Sequence, residues 1–156
     1  MQPLKTYFSR IARLIGLASL EDDLDLWSRY ARGTGTPPAA RFLFEAAKDG
    51  NVSQIEDILR DEGRSIRPVL IAALSLAALN GRARAASRLI EAGADVHEHY
   101  EQPLRWAAEG GHDTTVEVLL NAGANPHFRD DEPIRLALAN GHPDTAAILQ
   151  NWPRPA

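Results

Sequence analysis

The chain contains no cysteine among its 156 residues, a single methionine, two lysines and only 6% aromatic residues. Lacking cysteine, it has no disulfide scaffold, no thiol nucleophile and no cysteine-based zinc site, and its redox compartment is left open. Hydrophobic residues make up 44%, much of it alanine, so the core is expected to use small side chains at close backbone approach. No apolar run reaches the roughly 18 residues needed to cross a bilayer. A net charge of −4 argues against the chain as a whole binding polyanions. Its 24% charged content belongs to a folded single domain, not a disordered tract.

Charge is laid out unevenly. Residues 60–88 carry six arginines against Asp61 and Glu62, whereas from residue 89 onward eleven acids face four arginines. The only lysines are Lys5 and Lys48. Arginine suits fork-shaped pairing with carboxylates more than loose solvation. Such asymmetry bears on electrostatic partners and says nothing about fold.

The repeat is the most informative feature present. Small pairs recur at Ala46-Ala47, Ala77-Ala78, Ala107-Ala108 and Ala137-Leu138, each followed three residues later by Gly50, Gly81, Gly111 or Gly141. Aliphatic pairs come next, at Ile58-Leu59, Leu89-Ile90, Leu119-Leu120 and Ile148-Leu149, and a second glycine series falls at Gly63, Gly93 and Gly123. Both glycine series keep a spacing of 30 or 31. Each unit reads as helix, turn, helix, loop. In the third, Leu104–Glu109 makes a short helix, Gly110-Gly111 breaks it, and Asp113 is placed to cap the next helix, which Gly123 terminates. One unit cannot bury its apolar face alone, so stacking must supply the stability.

These residues resemble the ankyrin repeats. The segment Gln102-Pro103-Leu104-Arg105-Trp106-Ala107-Ala108-Glu109-Gly110-Gly111-His112 is similar to that family's first helix and turn, and Glu91-Ala92-Gly93-Ala94-Asp95 to its second-helix ending. A fourth unit repeats it with Pro133-Ile134-Arg135-Leu136-Ala137 and Asn140-Gly141-His142, while the first two keep only the leucine and the alanine pair. The resemblance implies an all-α solenoid of about four helix-pair repeats over residues 37–152. A helical hairpin over 1–36 precedes it, and 153–156 form a tail.

Two departures from the family matter. The period is 30 rather than about 33, which implies stubby fingers. The motif histidine is replaced by Arg105 and Arg135, which are expected to pair with Glu101, Asp131 or Glu132. In residues 1–36, Leu4, Phe8, Ile11 and Ile15 form an apolar stripe on a basic helix, and Leu20, Leu24, Trp27 and Ala31 a second stripe. A cap on the solenoid is the preferred reading; a membrane-surface anchor, a targeting peptide and a partner-binding helix are the alternatives.

A search for chemistry returns little. There is no phosphate-cradling loop, H-E-x-x-H, G-x-S-x-G or calcium-loop spacing. His97 and His99 lack a third metal ligand in a fixed place, and His127, one repeat after His97, points to a repeated structural role. No catalytic residue, cofactor or metal is therefore expected.

What the resemblance implies is a non-enzymatic module that binds another protein through its concave face. The small size of the stack points to an inhibitor, immunity or adaptor protein. The arginine-over-lysine bias and single methionine point to a bacterial or phage genome, and a cytoplasmic location is expected. The partner-binding candidates are His99, Tyr100, Arg105, Trp106, Glu109, Phe128, Arg129, Arg135 and Asn140. Trp106 aligns with Leu76 and Leu136, which also suits a buried column. The alternative is a membrane-surface or nucleic-acid-associated adaptor using the basic first helix or the arginines of 60–88.

Overall fold

The computed structural model describes residues 38–153, which belong to one compact unit beginning at Pro37. The expected hairpin over 1–36 and most of the tail lie outside the described residues. Eight α-helices follow in four pairs: α1 (Pro38–Asp49) with α2 (Val52–Glu62), α3 (Leu70–Leu79) with α4 (Ala83–Glu91), α5 (Glu98–Glu109) with α6 (Asp113–Asn121), and α7 (Phe128–Ala139) with α8 (Pro143–Asn151). A 3₁₀ segment, Gly63–Val69, links the first two pairs. No strand occurs among the described residues. The helices form two layers: α1, α3, α5 and α7 pack in order, as do α2, α4, α6 and α8.

The repeating residues become columns in the core. In the first layer Leu43, Leu74, Leu104 and Ile134 are at most 4% exposed. In the second, Ile55, Ala86, Val116 and Ala146 are buried, and so are Leu89, Leu119 and Leu149. Between the layers, the alanine pairs of the first three units are essentially inaccessible. With only a methyl group at these positions, two helices can approach until backbone and side chain interlock. A longer side chain there would overpack the contact.

The turn inside each pair follows one rule. Asn51, Arg82, His112 and His142 donate their backbone N–H to the carbonyls of Ala46, Ala77, Ala107 and Ala137 at 2.8–2.9 Å. Each bond closes over a glycine with φ between +65° and +80°, a conformation that costs a residue bearing Cβ about 1–2 kcal/mol. Side chains from these turns also reach back across the stack. Arg82 Nε donates to the Lys48 carbonyl at 2.9 Å, and His112 Nε2 lies 3.0 Å from the Leu79 carbonyl oxygen, the same position one unit later. Asp113, expected as a cap, is instead the first residue of α6; His112 is the N-cap, and no side chain caps this end. The Asp113 carboxylate accepts from Thr145 Oγ1 at 2.5 Å, so it ties the third unit to the fourth.

The ends of α4 and α6 are closed alike. Ala94 and Ala124 donate to the carbonyls of Leu89 and Leu119, while Gly93 and Gly123 donate to Ile90 and Leu120. This pair of bonds around a left-handed glycine is a Schellman ending. It aims the chain outward, with Val96 and Pro126 buried beneath the loop that follows.

The turn geometry sets a graded test. A Cβ on Gly81 would lie 2.7 Å from His112 Nδ1, whereas one on Gly141 meets nothing. Gly141→Ala should cost only the left-handed penalty, about 1–2 kcal/mol. Gly81→Ala should cost visibly more, read as a lower denaturant midpoint.

Candidate interaction surface

Residues 95–101 and 125–131 form the fingers, and they are built to one plan. Each starts with a side chain accepting from the backbone two residues on: Asp95 Oδ1 from His97 N at 2.9 Å, and Asn125 Oδ1 from His127 N at 3.0 Å. Three consecutive residues then take left-handed backbone angles: His99, Tyr100 and Glu101 at φ 52°, 62° and 57°, and Arg129, Asp130 and Asp131 at 48°, 55° and 62°. Right-handed helix resumes at Gln102 and Glu132, with Pro103 and Pro133 in the first turn, where a missing N–H costs nothing. The short helix expected from Leu104 therefore begins a little earlier, and the stubby finger before it is one left-handed turn.

Six non-glycine residues in this region carry real strain, each of order 1–2 kcal/mol. His, Asp and Asn tolerate it best, and His99, Asp130 and Asp131 belong to that group. A side-chain clamp spans each turn. His97 Nδ1 lies 2.7 Å from Glu101 Oε1, and His127 Nδ1 lies 2.6 Å from Asp131 Oδ1. Glu101 is 5% exposed, and its other carboxylate oxygen has no partner among the described residues. The hydrogen bond to Glu101 raises the His97 pKa above the usual 6.5; partial burial opposes this, and the charges of Glu101 and Asp95 add to the rise.

Adjacent fingers meet at their tips. The Tyr100 and Phe128 rings stack with centroids 6.3 Å apart and planes 29° from parallel. The Arg129 guanidinium lies over both, 4.7 Å from the Tyr100 centroid and 5.3 Å from that of Phe128. Tyr100 is 64% exposed. An arginine held over two rings gives up conformational freedom in advance while its fork keeps donors for other groups.

The other candidates divide. Arg105 Nη2 donates to Glu132 Oε1 at 2.8 Å, one of the pairings foreseen. Ser75 Oγ donates to Gln102 Oε1 at 3.4 Å at the same place one unit earlier. Arg135 corrects the expectation: it donates to the Arg129 carbonyl at 3.1 Å, because Glu101 and Asp131 are taken by histidines and the partner of Arg105 comes from the following unit. His99 and Glu109 are exposed. Asn140 is exposed but donates to the Leu136 carbonyl of its own helix at 2.9 Å. Trp106 is only 8% exposed and lies in the packed interior, at the position of Leu76 and Leu136, so it offers a partner little. Among the described residues, no three His, Asp or Glu side chains cluster as metal ligands, and no helix is long and apolar enough to cross a membrane.

The expectation that Glu101 and Asp131 pair with arginines hides the clamps they make with His97 and His127. The signal was nevertheless present: an Asp or Asn, then histidine two residues on, then an acid four beyond it, repeated at spacing 30.

The two arginines make a second test. Arg105→Ala leaves the half-buried Glu132 carboxylate without its cation and should destabilise by about 1–2 kcal/mol. Arg135→Ala removes one exposed bond and should stay within about 0.5 kcal/mol. Both are read from chemical denaturation.

No curated protein matches this chain. A family model for ankyrin repeats in three copies matches residues 43–152. That span takes in all four helix pairs apart from the first turn of α1, and the chain belongs to the ankyrin-repeat family.

Proposed function

We propose that this chain is a non-enzymatic recognition module whose fingers at 95–101 and 125–131, together with the adjoining first helices, bind another protein. Ankyrin repeats are in general protein–protein interaction modules. The observation that carries the reading here is the tip cluster of Tyr100, Phe128 and Arg129, which joins two fingers into one surface. Tyrosine and arginine dominate interface energetics because each gives a large contact area with a polar end. Backbone strain of the kind found at residues 99–101 and 129–131 clusters at functional sites in proteins generally. His99 and Glu109 flank the cluster as polar contacts. An inhibitor, immunity or adaptor role in the cytoplasm of a bacterium, or on behalf of a phage, completes the proposal.

The alternative through the arginines of 60–88 has less support. Arg60 pairs with Asp57 at 2.9 Å, Arg88 pairs with Glu56 at 3.3 Å and Glu91 at 3.6 Å, and Arg82 is tied to the Lys48 carbonyl. These three of the six arginines are engaged with their own chain, which leaves fewer cations to track phosphates.

Capture from the source cells under a moderate-salt wash is the direct test. One near-stoichiometric protein is expected with the native chain. Tyr100→Ala with Arg129→Ala should abolish it while moving the melting temperature little, since both residues are exposed. Only nucleic acid or lipid, with either version, would overturn the reading.

A further inference from the structure

The fingers share a feature that binding alone does not require. Each three-residue left-handed turn is bridged by one imidazole and one carboxylate, His97 with Glu101 and His127 with Asp131, at 2.7 and 2.6 Å. The bridge spans the residues that carry the tip: Tyr100 lies inside the first and Arg129 inside the second. Any side chain that could donate a hydrogen bond would close such a turn. Histidine is the one whose charge changes between about pH 5 and 8, and it stands at the same position in both fingers.

We propose that the two histidine–carboxylate clamps are an acid-strengthened latch on the finger surface, holding Tyr100 and Arg129 in their strained posture when the imidazoles are charged and loosening it when they are neutral. The physical basis is that a charged imidazole adds ion-pair attraction to a hydrogen bond the carboxylate already makes with the neutral ring. It is set against a backbone that favours release, because each turn stores left-handed strain in three non-glycine residues. The first clamp also sits where loosening matters: Glu101 is buried, and a buried carboxylate that loses its cation is held only by whatever neutral donor remains.

The groups facing each imidazole are few. Asp95 and Glu101 act on His97 from its own finger, and on the side of the following unit Gly123, which carries no side chain, lies near that ring. His127 belongs to the last described unit and faces Asp131, with Asn125 on its backbone side. Because the His97 pKa is raised on folding, the first clamp contributes fully below the ordinary 6.5 and is lost as pH climbs through the raised value.

For recognition, this latch rests on the proposed role of the tip cluster. The two can nevertheless fail separately, because the latch is measurable with no partner present. Backbone and imidazole resonances of the whole chain are followed by NMR from about pH 5.5 to 8.5, bracketing the histidine range. A residue with positive φ shows a strong cross-peak between its own amide and Hα protons. The expected result is that these peaks at residues 99–101 and 129–131 weaken as pH rises, with the same midpoints as the His97 and His127 rings. In Glu101→Gln with Asp131→Asn no ion pair can form, so that dependence should be clearly weaker than in the native chain. Fingers that keep the positive-φ signature unchanged while both rings titrate would overturn the latch, and the native titration alone decides this should the double variant fold poorly. With a captured partner, the latch predicts affinity rising by up to about tenfold toward acid pH. A partner held equally at both pH values would confine the latch to finger order.

Discussion

A backbone N–H in each turn, donated to the carbonyl of a buried alanine, holds the rest of the structure in register. The bond forms only if the glycine before it goes left-handed and the alanine pair lets the second helix fold back against the first. Both requirements concern small residues. The repeat therefore tolerates wide variation elsewhere: the first two units have lost most of the family's motif, yet their leucine and alanine columns are as buried as those of the later units. From this contact follow the two-layer stack and the reach of Arg82 and His112 onto the preceding unit.

The sequence made the fold legible because that contact leaves a periodic trace. Glycine and alanine at fixed spacing give the turn and the helix approach, and aliphatic pairs give the second layer. The details it hid are those in which one side chain has two available partners. Asp113 looks like a cap but bonds Thr145 of the next unit, since a cap satisfies only local donors while the inter-unit bond closes a gap in the stack. Glu101 and Asp131 look like partners for arginine but serve histidines on their own fingers. Trp106 has the chemistry of an anchor and the address of a core residue, and its address prevails. Three successive left-handed residues without glycine are the least readable element, because local propensity argues against them and only the surrounding bonds overrule it.

The fingers and the stack divide the work. Core columns supply rigidity through nearest-neighbour packing, and the links between units (Ser75 to Gln102, Arg105 to Glu132, Thr145 to Asp113) run only from one unit to the next. The tip cluster spans two adjacent units and so inherits their relative placement. The placement of one finger beside the other is consequently set by the packing of α5 against α7 beneath them.

Placing strain in Tyr100 and Arg129, the residues proposed to carry recognition, has an evolutionary consequence. Replacing Tyr100 or Arg129 by glycine or asparagine would relax the backbone and make the chain more stable, while erasing the surface. Selection for stability and selection for a partner therefore pull these positions in opposite directions. A lineage released from its partner should lose the finger aromatics and arginine first and keep its alanines and turn glycines longest, so the wear on its fingers would record how long the partner has been gone.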